Sequence, residues 1–220
     1  MSPPEEHQKP WETQRRGLLL LMSSPSGAGK TSLSRRLVAD YSDLTLSISA
    51  TTRQPRPGEE DGREYHFVTD TEFDRLVAED QMLEWATVHD HRYGTPRKPV
   101  IEALEMGHDV LFDIDWQGAR SINSAMPRDS VRVFVLPPSW SDLSRRLHAR
   151  AQDHEDVIQR RLERGRDEIT HWGEYDYVIV NKSFDRAYAD LSHIYRAERM
   201  KPGRNTWIRA FVDGLRSERA

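Results

Sequence analysis

The sequence predicts a parallel α/β core built round a phosphate-binding loop, with a small β-rich insertion and an arginine-rich helical arm. Three observations carry that prediction. Ser24-Pro25-Ser26-Gly27-Ala28-Gly29-Lys30-Thr31 fits the nucleotide-phosphate pattern G-x-x-x-x-G-K-S/T at every position but the first. The loop stands where such a loop must. Leu18 to Met22 before it is a short apolar run suited to a buried parallel strand, and Leu33, Leu37 and Tyr41 after it recur as one face of a helix. Further apolar runs of strand length then alternate with helix-like segments down the chain.

Taken in order, Met1 to about Arg16 is proline-rich and polar and reads as a mobile tail. Leu44 to Ile48 is a second strand. Thr51 to Glu59 is loop, because Pro55 and Pro57 cannot donate to a strand ladder. Tyr65–Val68, Met82–Val88 and Arg92–Thr95 read as strands, with a short helix over 71–80 between the first two. Such short pieces make a β-rich insertion rather than a βαβ unit. A helix from about Pro99 to Met106, stopped at Gly107, returns the chain to the core. Val110 to Asp115 is an apolar strand ending in carboxylates, and Val131 to Leu136 is another, ended by Pro137-Pro138. Ser139 with Asp142 resembles a helix N-cap with its acidic third residue. Arg145 to Arg166 holds seven arginines with no apolar stripe of comparable length. Tyr177 to Val180 is a last strand, a helix follows from about Phe184 to Met200, and a tail from Lys201 carries an apolar patch at Trp207, Ile208, Phe211 and Val212.

Bulk properties narrow the function. The chain has 220 residues, 36% hydrophobic and 31% charged, as expected of a polar globule. A formal charge of −4 gives no reason to expect nucleic acid or an anionic membrane as partner. No apolar run approaches the roughly 18 residues of a membrane helix, and Pro3, Pro4, Glu5 and Glu6 lack the order of a secretion signal. With no cysteine there is no disulfide, zinc–thiolate site or thiol nucleophile, which suits a cytoplasmic protein.

The chemistry centres on the loop. Small residues let consecutive backbone N–H groups surround phosphates, Lys30 adds charge at the β/γ end, and the Thr31 hydroxyl can ligate Mg²⁺. Asp113 ends an apolar strand, where a carboxylate can support the Mg²⁺ shell; a plain strand-end turn residue is the other reading. Arg53 and Arg56, with Tyr65 and Tyr93 nearby in sequence, could form a second phosphate site of guanidinium forks and phenols, or a solvated surface. The arginine run, including Arg150 and Arg161, is either a solvated helix face or an arm that closes over a triphosphate. His89-x-His91 lacks a third ligand and reads as a polar loop.

Together these pieces closely resemble the guanylate kinase family over roughly Gly17 to Arg199. The most specific signatures are Pro25 to Thr31, Ser49-Ala50-Thr51-Thr52-Arg53-Gln54-Pro55-Arg56-Pro57-Gly58-Glu59, and Asp113-Ile114-Asp115-Trp116-Gln117-Gly118. Tyr65 to Val68, Glu84 to Ala86, Tyr93 to Thr95 and Val178 to Asn181 support them. The resemblance implies a three-layer core with a parallel sheet over 17–200, a GMP-binding insertion over about 49–96 and a lid over about 139–170, with 201–220 as a tail. It implies transfer from ATP to GMP, and to dGMP, with Mg²⁺ as MgATP. By it, Ser26, Gly27, Ala28, Gly29, Lys30, Thr31, Ser32 and Asn181 would bind ATP. Arg53, Arg56, Tyr65 and Tyr93 would hold the GMP phosphate, and Ser49, Glu84, Thr95 and Asp115 the guanine. Arg150 and Arg161 would be the lid arginines, catalytic with Lys30 and Arg53.

Guanine chemistry agrees independently. Its N1–H and 2-amino group are donors that ionised Glu84 and Asp115 can accept, whereas adenine offers a carboxylate a bare N1. Three residues depart from the family pattern: Ser24 for glycine at the loop start, Ala151 after Arg150, and Gly165 within the expected second lid helix. Two other readings compete, a phosphopeptide-binding module of the same fold and a kinase for another acceptor. An intact Lys30 and Thr31 argue against the first, Ser49 and Glu84 against the second. Homo-oligomer formation is left open by the sequence.

Overall fold

The computed structural model of the chain describes residues 15–88, 90–149 and 155–218. Along the chain these form β1 (Leu19–Ser23), α1 (Lys30–Asp40), β2 (Leu44–Leu46), β3 (Ala50–Thr51), β4 (His66–Phe67), α2 (Asp70–Ala78), β5 (Met82–Val88) and β6 (His91–Pro96). Then follow α3 (Arg97–Glu105), β7 (Asp109–Asp113), α4 (Trp116–Ala125), β8 (Ser130–Leu136), α5 (Trp140–Ala149), α6 (Glu155–Glu168), β9 (Tyr177–Val180), α7 (Phe184–Arg199) and α8 (Trp207–Ser217).

The α/β class holds. A five-stranded sheet runs in the order β2-β7-β1-β8-β9 with every pairing parallel. β1 is central, and its residues alternate between two cores as strand periodicity requires. Leu18, Leu20 and Met22 pack with Leu33 and Leu37 of α1 and with Ala187, Leu191 and Tyr195 of α7. Leu19 and Leu21 pack on the other face with Val100 and Leu104 of α3 and with Ala119 and Ile122 of α4. Helices on both faces make three layers, and the continuous apolar run of β1 is the signature of a strand buried on both sides.

The insertion is a four-stranded sheet ordered β4-β3-β6-β5, with α2 laid on it through Phe73, Ala50 and Met82. Thr69 caps α2 by accepting from Glu72 N–H.

Four expectations need correction. The helix α4 is absent from the sequence reading; Asp115 starts it by accepting from Gly118 N–H at 2.8 Å, so a residue singled out for chemistry is also an N-cap. The arginine-rich segment does carry an apolar stripe. Leu143 and Leu147 of α5 meet Ile158 and Leu162 of α6, with Trp140 against them. Positions 143/147 and 158/162 are each one helical turn apart, a pattern the crowd of arginines conceals. Arg15 and Arg16 are anchored rather than part of a mobile tail. Arg15 is bidentate to Asp109 with both contacts at 2.8 Å, and Arg16 is bidentate to Asp129 at 2.7 Å. Beyond Lys201 the chain forms the amphipathic helix α8, with Trp207 and Phe211 in edge contact one turn apart.

Candidate active site

The phosphate loop spans 24–29, between the end of β1 and the start of α1. Gly27 and Gly29 have φ of +91° and +102°, left-handed conformations that side chains disfavour. A Cβ on Gly29 would also collide with the Asn181 amide. Ser24 lies outside the left-handed region, so serine there carries no backbone strain. The loop is held from behind. Asn181, buried at the end of β9, donates from Nδ2 to the Ala28 carbonyl at 2.8 Å. Arg146 of α5 donates to the Ala28 carbonyl at 3.2 Å and to the Asn181 carbonyl at 3.0 Å. Neither the N-cap Gly29 nor any acidic residue of the first turn satisfies the N-terminus of α1, which leaves its N–H groups and positive dipole for an anion.

In front of the loop lies a cavity of about 300 Å³ lined by Ser26, Lys30, Thr31, Asp113, Asp115 and Glu168, among others. Lys30 crosses it, with Nζ 2.5 Å from Asp113 Oδ1 and donating to the Ile114 carbonyl at 2.9 Å. Asp113 is therefore the ion-pair partner of the loop lysine, more than a turn residue at a strand end. A second cavity of about 300 Å³ opens on the far side of the loop, between Gly27, Gly29, Ser32, Arg146, Asn181 and Phe184.

The insertion gathers the remaining residues. The β5–β6 register sets Glu84 opposite Thr95, and the buried Thr95 hydroxyl donates to Glu84 Oε1 at 2.7 Å. Burial pushes the Glu84 carboxyl above the ordinary carboxylate range, against the Thr95 hydrogen bond, and the nearby charge of Asp115 adds to the rise. Arg53 reaches both oxygens of Glu59 at 2.9 Å and lies over the Tyr65 and Phe67 rings. That carboxylate, together with the Tyr93 phenol, raises its pKa. Glu59 also accepts from Arg56 N–H at 2.8 Å, and this bond, ahead of the Arg53 guanidinium, lowers its own pKa. Tyr65 and Tyr93 meet edge to face at 5.8 Å. Ser49 contributes its carbonyl to His66 N–H.

Among the described residues, no hydrogen bond or ion pair joins Arg53, Arg56, Tyr65 or Tyr93 to the phosphate loop. Arg161 lies exposed on α6, and Arg150 and Ala151 lie outside the described residues. Sequence reasoning missed Arg146, Glu59 and Glu168. Arg146 was hidden in a run of arginines, and its place beside Leu147 of the apolar stripe was the available signal.

The family model described as guanylate kinase matches residues 16–198. A guanylate kinase of Caulobacter vibrioides is 58% identical over 203 residues, covering 92% of this chain and 95% of that protein. A guanylate kinase of Maricaulis maris is 54% identical, covering 92% and 93%. The crystal structure of guanylate kinase from Anaplasma phagocytophilum superposes with a TM-score of 0.69 at 36% identity, covering 87% of this chain and 91% of that one.

Proposed function

The chain belongs to the guanylate kinase family of enzymes, and on that premise we propose that it moves the γ-phosphoryl of ATP directly to the phosphate of GMP, in line and without a covalent enzyme intermediate. dGMP would serve as a second acceptor, since the residues assigned here read the base and the phosphate.

One observation supports the guanine assignment above the others: the Glu84 carboxylate is fixed by the Thr95 hydroxyl at 2.7 Å, with the charge of Asp115 close enough to raise its pKa, and adenine would offer such acceptors a bare N1. Guanine N1–H and its 2-amino group supply the donors that an ionised pair needs. The Thr95 hydroxyl gives its proton to Glu84, so its part is to aim that carboxylate. Ser49 would donate to guanine O6. Arg53, Arg56, Tyr65 and Tyr93 would hold the acceptor phosphate. Before GMP arrives Glu59 occupies Arg53, so a dianionic phosphate takes over a guanidinium already desolvated and aligned.

On the donor side, the N–H groups from Gly27 to Thr31 would cradle the phosphates, with Lys30 leaving Asp113 for the β/γ oxygens. Thr31 and Asp113 fit a hard divalent cation. They are oxygen donors on one cavity, and among the described residues no three acidic or histidine side chains form a metal cage of their own. Nucleotide phosphates would complete such a shell, as Mg²⁺ prefers. Mg²⁺ there would neutralise charge on the transferring group. Arg150 and Arg161 would close over the phosphates with the lid and keep water out. Asn181 and Arg146, behind the loop, would flank the adenine-side cavity. Positioning and charge neutralisation supply the catalysis.

No helix among the described residues is long and apolar enough to cross a membrane, and we assign the enzyme to the cytoplasm, where both nucleotides occur. The test is ADP release from MgATP with GMP, dGMP, AMP, CMP and UMP as acceptors. GMP should lead AMP by about 10⁴-fold in kcat/KM, the margin open to a site that hydrogen-bonds groups the analogue lacks. A folded sample without GMP-dependent turnover would sink the assignment.

A further inference from the structure

The phosphate cavity contains a carboxylate for which phosphoryl transfer has no evident use. Glu168, the last residue of α6, lines the cavity with Lys30, Asp113 and Asp115. Its Oε2 is buried without a hydrogen-bond partner among the described residues. The helix face that carries it is seated on the loop. Gly165, one turn earlier, comes so close that a methyl group there would rest 3.5 Å from the Pro25 ring and from Trp140. Glu168 is therefore held in the cavity wall by a helix packed against the loop.

Three carboxylates face one ammonium in this cavity, and Asp113 already claims that ammonium at 2.5 Å. Such a site opposes any polyanion, and most of all the form that carries the most charge. Partial burial weakens solvent screening and makes that repulsion matter. Burial raises the Glu168 carboxyl's pKa and the charge of Asp115 adds to the rise, while the charges of Lys30 and Arg164 offset part of it.

We propose that Glu168 is a specificity-determining residue that makes the phosphate cavity reject metal-free nucleoside triphosphate in favour of its divalent-metal complex. The proposal rests on the nucleotide-binding reading above. A fixed negative charge beside the phosphates lowers affinity for both forms of the ligand. It lowers it further for the bare polyphosphate, whose charge no cation offsets, so the difference between the two is what selects.

Calorimetric titration without GMP separates binding from turnover. Wild type should bind ATP with excess Mg²⁺ more tightly than ATP with excess chelator. Glu168→Gln keeps the size and polarity of the side chain and removes the charge. It should strengthen metal-free binding about ten-fold and change MgATP binding by no more than about three-fold, a collapse of the ratio between them. Glu168→Met, of similar length and also uncharged, should do the same if the amide variant folds poorly, as judged by thermal melting. Asp167→Asn makes the same charge change one residue away, outside the cavity, and should leave the ratio alone. Parallel weakening of both forms by Glu168→Gln and Glu168→Met would mean a purely structural residue and overturn the proposal, as would a wild type with equal affinity for the two forms. A wild type that binds neither form would instead overturn the nucleotide-site reading itself.

Discussion

Glu84 can accept from both guanine donors without offering a competing O–H only as the anion, yet burial works against its ionisation. Burial, and to a lesser degree Asp115, raise its pKa above the ordinary 4.5. The sign for binding follows. A ligand that donates two hydrogens prefers the ionised site, so GMP affinity should be full well above that raised pKa and fall as pH drops through it, before an ordinary carboxylate would titrate. Titrating GMP binding from pH 7.5 downward checks this. Glu84→Gln should bind GMP about 10²-fold more weakly at pH 7.5 and lose most of the pH dependence, since an amide presents a donor to guanine N1–H. A Glu84→Gln curve parallel to wild type would assign the titration elsewhere. Asn181 acts at the same scale from behind the phosphate loop. Its amide holds the buried Ala28 carbonyl at 2.8 Å. Asn181→Ala should cost about 1–2 kcal/mol in chemical denaturation, the usual value of a buried hydrogen bond. It should also raise KM for ATP more than KM for GMP. Glu84 and Asn181 were both legible in the sequence through family motifs. Arg146 and Glu168 were not, because one arginine in a run or one glutamate in a charged helix has no local pattern until the chain closes on the loop.

Among the elements, the arm formed by α5 and α6 has a small core of its own in Leu143, Leu147, Ile158 and Leu162. It touches the rest of the molecule mainly at the phosphate loop. Leu162→Ala should therefore loosen the arm before the domain. kcat would fall several-fold and amide exchange along α6 would quicken, with the global melting temperature moved by no more than a few degrees. Loss of the whole cooperative transition would show that the arm is integral to the core. Where the arm ends, residues 169–174 form a 3-10 segment clamped to α4. His171 stacks on Trp116 at 3.6 Å, and Glu174 binds both Arg120, at 2.5 and 2.9 Å, and His171, at 2.8 Å. The Arg120 guanidinium, then His171, depress the Glu174 pKa to about 2. A depressed carboxylate stabilises the fold above its unfolded pKa near 4.5 and loses that contribution as pH falls toward 2. Glu174→Gln should thus melt below wild type at pH 6, with the gap closing as pH falls below 4.5. A constant gap would place its origin outside this ionisation. The Trp116 ring is occupied by this clamp, with Arg120 on it at 4.7 Å.

For the molecule as a whole, the N-terminal segment and the base of the sheet are locked together by Asp109, which is fully buried. It accepts from Arg15 through both oxygens at 2.8 Å, from the Tyr195 hydroxyl at 2.6 Å and from Leu18 N–H at 2.8 Å. Asp109→Ala would leave a buried guanidinium and phenol without their acceptor and should lower unfolding free energy by about 3–5 kcal/mol. A loss below about 1 kcal/mol in urea titration would show that solvent reaches the network. The sequence by itself determined the α/β class, the central strand and the phosphate loop. Each is written in neighbouring residues: an apolar run buried on both faces, glycines where left-handed backbone is needed, and a lysine at the helix start. The family resemblance grouped Glu84 with Thr95 and Arg53 with Tyr65, while the strand register that sets Glu84 opposite Thr95 came only from the structure. What only the tertiary structure decided lies between segments distant in the chain. The pairing of Lys30 with Asp113, the arrival of Glu168 at the loop cavity beside Ser26, and the anchoring of Arg15 to Asp109 all join residues more than 30 positions apart. Local propensity carries no information about such contacts. They form because the sheet order and the two apolar faces of β1 leave the chain few other ways to bury its core.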